Sequence, residues 1–447
     1  MKKIEVHALQ LKDGSKVAVI GGGPTGAFFS IFVLKMAKMI DLDLSVTIFD
    51  SKDFSKDGPA GCNRCGGIIS ELLVQTLAVE GISLPDSVVR RGIHSYRLHT
   101  PEGYVSITTP HYERTIATVS RGGGPKGLAG HDKESFDGFL MSQAIGEGAL
   151  HEAIRIDTIG LKGDRPVLFS QGKELADFDL VVGAFGVNST AGKMTEALGF
   201  GYQEPKVVTA AICELVMDAD IVTERFGNSI HLFLLPDSEL KFAALIPKGP
   251  YVTLCILGKE LSSDQVAGFL ENPVVKKVLP DPIKYSIPCR CLPKMNVAAP
   301  KVPCMDRVVM CGDAGSTRLF KDGLGAAYLM GKAAAKTAIF DGVGRAHFQA
   351  SYLPVYKSIV HDNLFGKMLY LFIDIFRKQP FLTRAMLDVV HREQSDESRT
   401  RKTLSTILWD MFTGNERYKA VFTRALHPAM HLDLLAGIVK TMGRGQS

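Results

Sequence analysis

Between two apolar runs lies Gly21-Gly22-Gly23-Pro24-Thr25-Gly26, and no other stretch of the 447-residue chain restricts the fold as strongly. The run before it, 16–20, reads as a short β-strand. The run after it, 27–40, is long and apolar enough for a buried helix. A second β-type run, 44–49, ends in Asp50. Strand, glycine turn, helix and strand form a βαβ unit. Gly21, Gly23 and Gly26 match the Gly-x-Gly-x-x-Gly spacing of dinucleotide sites. The first allows the tight turn, the second lets a pyrophosphate reach the backbone, and the third lets the helix pack close to the sheet. Pro24 and Thr25 open the helix, whose free N–H groups and positive dipole end suit phosphates. A carboxylate at Asp50 accepts hydrogen bonds from ribose hydroxyls. The 17–34 stretch is uncharged and as long as a membrane span. Its glycines and proline favour strand, turn and helix instead.

The remaining pattern predicts an α/β protein built as a Rossmann-like dinucleotide-binding domain with an inserted antiparallel β-sheet domain and a helical C-terminal region. The first domain takes 1–90, 121–200 and 300–345. The second takes 91–120 and 201–299, where short β-like runs such as 210–217, 230–235, 242–246 and 251–257 follow one another. The third is 346–447. Lys and Arg number 52 against 47 Asp and Glu, too mild an excess to suggest nucleic acid. The last segment, 351–447, carries 14 Lys and Arg against 9 Asp and Glu. No apolar core follows the N-terminal lysines, so a secretory signal is not expected. Eight cysteines in such a chain point to reduced thiols in a cytoplasm.

Two later motifs choose the dinucleotide. Asp179-Leu-Val-Val-Gly-Ala-Phe-Gly-Val-Asn-Ser189 resembles the DxVVGADGxxS segment of FAD-dependent hydroxylases and reductases. Cys311-Gly312-Asp313-Ala314-Gly315, followed by Asp322-Gly323-Leu324-Gly325, resembles their distal segment. The resemblance implies FAD. It implies that Asp313 contacts the ribityl chain and that the helix opening at Gly323, Leu324 and Gly325 aims its N-terminus at the flavin. A positive dipole end there would stabilise an anionic reduced flavin. Phe185 stands where the middle motif usually has Asp, and Phe320 where many relatives have Pro. No second glycine motif flanked by strands exists, so the electron donor is left between NAD(P)H docking transiently and a ferredoxin-like protein.

Within these flavoproteins the chain resembles the geranylgeranyl reductase family. Cys65-Gly66-Gly67-Ile-Ile-Ser70 looks like that family's C-G-G-x-x-S loop. Phe136-Asp137 through Leu140, with Arg121 upstream, looks like its R…FD..L stretch. Pro247-Lys248-Gly249 looks like its FPKG turn, with Ala243 and Ala244 where relatives often carry bulky aromatics. The resemblance implies cofactor contacts from Gly66, Gly67 and Arg121, and reduction of carbon–carbon double bonds in a polyprenyl or other hydrophobic substrate.

Hydride addition to an isolated alkene needs a proton as charge develops, unless the alkene is conjugated. A thiol, titrating ordinarily near about 8.5, is mostly protonated at neutral pH. Cys65 is therefore the candidate catalytic proton donor. Two other readings of the pair stand beside it: Cys62 and Cys65 as a redox couple, or the four thiols of Cys62, Cys65, Cys289 and Cys291 as a metal site. No metal is expected on balance. Two other functions also remain open, an FAD monooxygenase on an aromatic or lipid substrate and a non-catalytic lipid-binding or electron-relay flavoprotein. In the tail, 365–382 mixes large apolar residues with Lys367, Arg377 and Lys378. It is too short and charged to span a bilayer, but it suits a membrane surface. The expectation is a cytoplasmic protein, extended by that segment to a peripheral position on the inner membrane face.

Overall fold

The computed structural model describes residues 9–109, 116–128, 134–396 and 402–444. A six-stranded sheet forms the first layer. Its spatial order is Cys304–Met305, Val308–Met310, Leu180–Gly183, Ser15–Ile20, Leu44–Phe49 and Leu150–Glu152. All neighbours are parallel except the first pair. Ser15–Ile20 is central, and the chain leaves it in both directions, to Leu44–Phe49 on one side and Leu180–Gly183 on the other. Such a reversal opens a crevice at the carboxyl ends of the strands. The 17–34 run resolves into this strand and the Pro24–Lys38 helix. Among the described residues no helix is long and apolar enough to cross a membrane.

The Pro24–Lys38 helix is buried along most of its length against Gly323–Phe340. A Cβ at Gly331 would come within 3.0 Å of the Phe29 nitrogen, so a glycine is what allows the two backbones to meet. The three-stranded meander Thr158–Lys162, Arg165–Ser170 and Lys173–Asp177 covers the sheet from the other side. Its half-exposed strands gave no clear alternation in the sequence.

The second sheet has eight strands. Seven run in the order Tyr285–Cys291, Lys206–Met217, Tyr251–Gly258, Leu240–Pro247, Ser229–Phe233, Ser95–Thr100 and Gly103–Thr108, and Lys294–Ala298 pairs with Lys206–Met217. It is antiparallel except at one junction, where Ser95–Thr100 lies parallel to Ser229–Phe233. Those two strands come from segments far apart in the chain, so no hairpin forces them antiparallel. Alternation sorts the two faces. Leu232, Ala244 and Ile246 point toward the first domain and the tail. Phe233, Ala243 and Leu245 point away, against Ala219–Phe226 and Ser263–Glu271. Of the two alanines singled out in the sequence, only Ala244 thus reaches the inner face.

Among the described residues five helices close the C-terminal region: Leu353–Lys378, Pro380–Ser395, Thr403–Phe412, Tyr418–Ala425 and Pro428–Arg444. The carboxylate of Glu393, 1% exposed, accepts from the Leu404 and Ser405 nitrogens at 3.0 and 2.7 Å and so caps the Thr403–Phe412 helix. That cap seats Trp409 fully buried against Tyr96. Arg377, expected to face lipid, is buried. Its guanidinium donates to the carbonyls of Leu235 and Asp237, and it pairs with Asp374. A long chain beside two unpaired carbonyls of a sheet end gains more inside than out.

Candidate active site

One cavity of about 630 Å³ runs from the glycine turn to the inner face of the second sheet. At its first end Gly21 has φ +107°, and a Cβ there would lie 2.5 Å from the Ala184 carbonyl oxygen. Only a glycine tolerates both. Gly26 stands one layer behind the wall, where a Cβ would sit 1.9 Å from the Gly21 oxygen. Gly23 differs: its nearest neighbour would be Asn63 Nδ2 at 3.4 Å, and it faces the open cavity. It is also the N-cap of the Pro24–Lys38 helix and has no side chain to satisfy the first-turn N–H groups. Asp50 Oδ2 accepts from the Gly22 nitrogen at 2.7 Å, and Oδ1 from the Lys52 nitrogen at 2.9 Å. Asp50 lines the cavity, and each oxygen has acceptor capacity beyond these bonds.

The second wall comes from the distal loop. Asp313, Gly323 and Leu324 line it. Burial raises the Asp313 carboxyl above its ordinary range. Gly312 and Gly325 sit behind. A Cβ at Gly312 would strike Thr25 Oγ1, and the Gly325 N–H donates to Asp322 Oδ1 at 3.1 Å. Asp322 thus caps the Gly323–Phe340 helix with a carboxylate, which also pairs with Arg318. This partner of the dipole was not foreseen.

The third wall is the cysteine loop. Gly66 and Gly67 line the cavity, yet their small size answers to the protein around them. Gly67 has φ +67°, and a Cβ would fall 2.2 Å from the Val119 oxygen and 2.8 Å from Lys248 Nζ. At Gly66 it would meet Ile246 at 3.1 Å. Arg121 borders the same loop and forms an ion pair with fully buried Asp137, which Asn63 also approaches. Burial opposes the Arg121 charge, but Asp137 more than offsets it, and the guanidinium is held above its usual value. Lys52 donates to Asn63 Oδ1 at 2.5 Å and to the Cys62 oxygen at 3.1 Å, tying the loop to Asp50. Burial lowers its ammonium.

Cys65 lines the main cavity and also a smaller one of about 230 Å³ behind the loop. Cys62, Cys289 and Cys291 share the smaller space with Lys248 and Glu214. All eight cysteines are free thiols. Cys62 Sγ accepts from the Arg64 nitrogen at 3.1 Å, and burial pushes its thiol up. Among the described residues no three His, Cys, Asp or Glu side chains converge to hold a metal ion, so the four thiols do not form the zinc-type cluster considered from spacing. Lys248 is 2% exposed. Burial pushes its ammonium down against the pull of Glu214, and raises Glu214 against the pull of Lys248. Spacing carried no sign of this pair, because Lys and Glu normally mark a surface.

The far end of the cavity is apolar, lined by Ala210, Leu232, Phe242, Ala244, Leu257 and Phe412. Phe412 and Gly414 bring the tail into the wall. Within 409–414, Trp409 fills the core while Phe412 lines the cavity. Lys321 fastens it, donating to the Asp410 and Glu416 carbonyls at 2.7 and 2.9 Å with its ammonium 4.1 Å over the Tyr418 ring. Phe185 and Phe320, the two departures from motif, both line the cavity.

No protein-family model matches the chain, and no curated protein matches it. Solved structures do. A geranylgeranyl bacteriochlorophyll reductase-like protein from Thermoplasma acidophilum superposes with a TM-score of 0.67 at 14% identity, over 96% of this chain and 100% of that one. A flavoprotein/dehydrogenase from Cytophaga hutchinsonii gives 0.63 at 13%, over 97% and 100%. A p-nitrophenol 4-monooxygenase from Pseudomonas putida gives 0.61 at 13%, over 90% and 98%. At such identities the likeness establishes the fold, that of flavoproteins with reductive and oxygenating members alike.

Proposed function

We propose that the protein is an FAD-dependent oxidoreductase that reduces carbon–carbon double bonds of a polyprenyl or similarly hydrophobic substrate. The carrying observation is the single cavity with a phosphate-suited turn at one end, an apolar sheet face at the other and Cys65 between them. The residues fit FAD: Gly23 leaves room for a pyrophosphate beside uncapped helical N–H groups, Asp50 lines the same wall and would accept from ribose hydroxyls, and Asp313, Gly323 and Leu324 continue the wall. Reduced FAD, when bound, supplies hydride.

The chain's own residues would do the rest. Leu232, Ala244 and Phe412 hold an apolar chain by burial, at about 25 cal/mol per Å² of apolar surface removed from water. Cys65 Sγ holds the proton that meets the developing charge. Asn63, Asp137 and Arg121 fix the loop that carries it. Contact with a membrane belongs to the same reading. The Leu353–Lys378 helix exposes Leu364, Met368, Leu371, Phe372 and Ile375 along one side, with Lys367 and Lys378 exposed beside them.

The test is anaerobic. The purified holoprotein is reduced with dithionite, geranylgeranyl lipids are added, and flavin reoxidation is followed together with the lipid mass. Reoxidation with a gain of two mass units per turnover supports the proposal. A flavin that stays reduced with the lipids but hydroxylates a substrate with oxygen overturns it in favour of a monooxygenase.

A further inference from the structure

We infer that Lys248 returns a proton to Cys65 after each turnover, through the smaller cavity, which keeps the thiol in touch with solvent when cofactor and substrate fill the larger one. This role rests on the proposed function and adds to it the residue that resets its acid. Among the described residues, four line both cavities: Arg64, Cys65, Arg121 and Ile212. An isoleucine has no proton to give, and an arginine keeps its charge. Cys65 is therefore the one side chain on both walls that can lose a proton on one side and regain it from the other. The smaller cavity, about 230 Å³, has room for several waters, and exposed Pro59, Arg64 and Arg290 on its wall bring it to the surface.

Lys248 lines the smaller cavity and not the larger. Its ammonium packs against the cysteine loop: a Cβ on Gly67, two residues after Cys65, would fall 2.8 Å from Nζ. Nζ also stands 5.9 Å from the centre of the Tyr251 ring. The residue is 2% exposed, and an apolar side chain there would avoid the cost of burying a charge. Such a group persists where chemistry uses it. The titratable and charged groups that face it are Glu214, Cys65, Cys62 and Arg90. Glu214, half-buried on the same wall, accepts from Thr253 Oγ1 at 2.7 Å. Burial pushes the Lys248 ammonium down, so it releases a proton more readily than an exposed lysine. The step is a proton transfer without change of oxidation state. Cys65 has given its proton to the substrate carbon and is left as a thiolate. An N–H bond of the Lys248 ammonium breaks and an S–H bond forms at Cys65. The neutral amine then takes a proton from water in the smaller cavity, leaving hydroxide to the solvent.

Lys248→Met keeps the length of the side chain and removes its charge. Holoprotein with verified FAD content is run anaerobically with geranylgeranyl lipid and excess dithionite, and reduced lipid is counted from the first turnover onward. The first turnover uses the proton that Cys65 already holds. In the variant it is expected to outpace the later ones by at least about tenfold, the low end of what a proton donor contributes, and so to give a burst of one reduced bond per flavin. The wild type is expected to show no burst. Lys248→Gln, polar and uncharged, is the second variant and is expected to behave alike. A readout without turnover is the rate at which iodoacetamide alkylates Cys65 in the oxidised holoprotein, followed by peptide mass. The thiolate is the nucleophile, and it loses its neighbouring cation in both variants, so alkylation is expected to slow several-fold. An unchanged alkylation rate overturns the inference, and so do first and later turnovers slowed alike. A wild type that the lipids never reoxidise removes the reductase reading and the proton return with it. A wild type that turns over beside variants without a burst overturns this inference alone.

Discussion

Two single-methyl additions separate the structural role of the glycine turn from its binding role. At Gly23 the backbone has φ −65°, an ordinary value, and an added Cβ meets only Asn63 Nδ2 at 3.4 Å. Gly23→Ala should therefore fold as the wild type does, or gain up to about 1 kcal/mol through the stiffer unfolded chain. The same methyl stands on the wall a pyrophosphate must approach. Displacing a phosphate from one charge-assisted hydrogen bond loses about 1.5–3 kcal/mol, or roughly 10- to 150-fold in FAD affinity. At Gly26 the Cβ would lie 1.9 Å from the Gly21 carbonyl oxygen, an overlap that only backbone movement relieves. Gly26→Ala should lose about 1–3 kcal/mol of stability through overpacking, and the turn would be displaced as well. The assay is bound FAD per chain after desalting, alongside the melting temperature of the FAD-free protein. The account predicts lost FAD with an unchanged melting temperature for Gly23→Ala, and losses in both for Gly26→Ala. Wild-type FAD content in Gly23→Ala would refute the reasoning.

Three further outcomes are expected. Cys65→Ala should leave FAD content unchanged and slow lipid-driven flavin reoxidation by at least about a hundredfold, within the usual range of a lost general acid, while Cys62→Ala should change that rate little. His99 and His231 are buried, share a 3.1 Å contact, and are lowered by burial from 6.5 to about 4 and about 3. Their neutral burial supports the fold fully above pH 6.5. That support is lost as pH falls toward 4, with a slope of up to about 2.7 kcal/mol per pH unit when two protons are at stake. Urea unfolding at pH 7 and pH 5 should show this slope, and the double variant His99→Gln with His231→Gln should flatten it. Finally, Leu371→Ser with Phe372→Ser, both more than half exposed, should reduce sedimentation with anionic vesicles while leaving the melting temperature within about a degree.

The parts legible in the sequence are those in which local backbone geometry dictates residue type. Gly21, Gly23 and Gly26 could be assigned different tasks because a tight turn, an open wall and a close helix contact each require glycine at a fixed spacing. The structure gives φ +107° to the first, open space to the second and a 1.9 Å conflict to the third. Leu44–Phe49 and the Gly323–Phe340 helix were likewise readable, one from a compact apolar run and the other from the glycines that open it. Features that depend on distant segments meeting were not readable. The parallel junction of Ser95–Thr100 with Ser229–Phe233 depends on strand order, which period-2 alternation does not encode. The pairing of Lys248 with Glu214 was not legible, because Lys and Glu normally mark a surface and the two come together only where distant segments line the smaller cavity behind the cysteine loop. Tyr96 met Trp409 only through the Glu393 cap that seats the tail helix. The Gly66-Gly67 pair was legible as a requirement, but the reason lies in Val119, Lys248 and Ile246 crowding the loop, more than in the approach of a ligand.

The most direct measurement is a structure of the protein with FAD and a saturated isoprenoid bound. The account predicts the pyrophosphate at Gly23 and the first turn of the Pro24–Lys38 helix, and the isoprenoid along Leu232, Ala244 and Phe412, with Cys65 between the flavin ring and the chain. An isoprenoid bound outside this cavity, or a flavin whose ring is walled off from it by protein, would contradict the account.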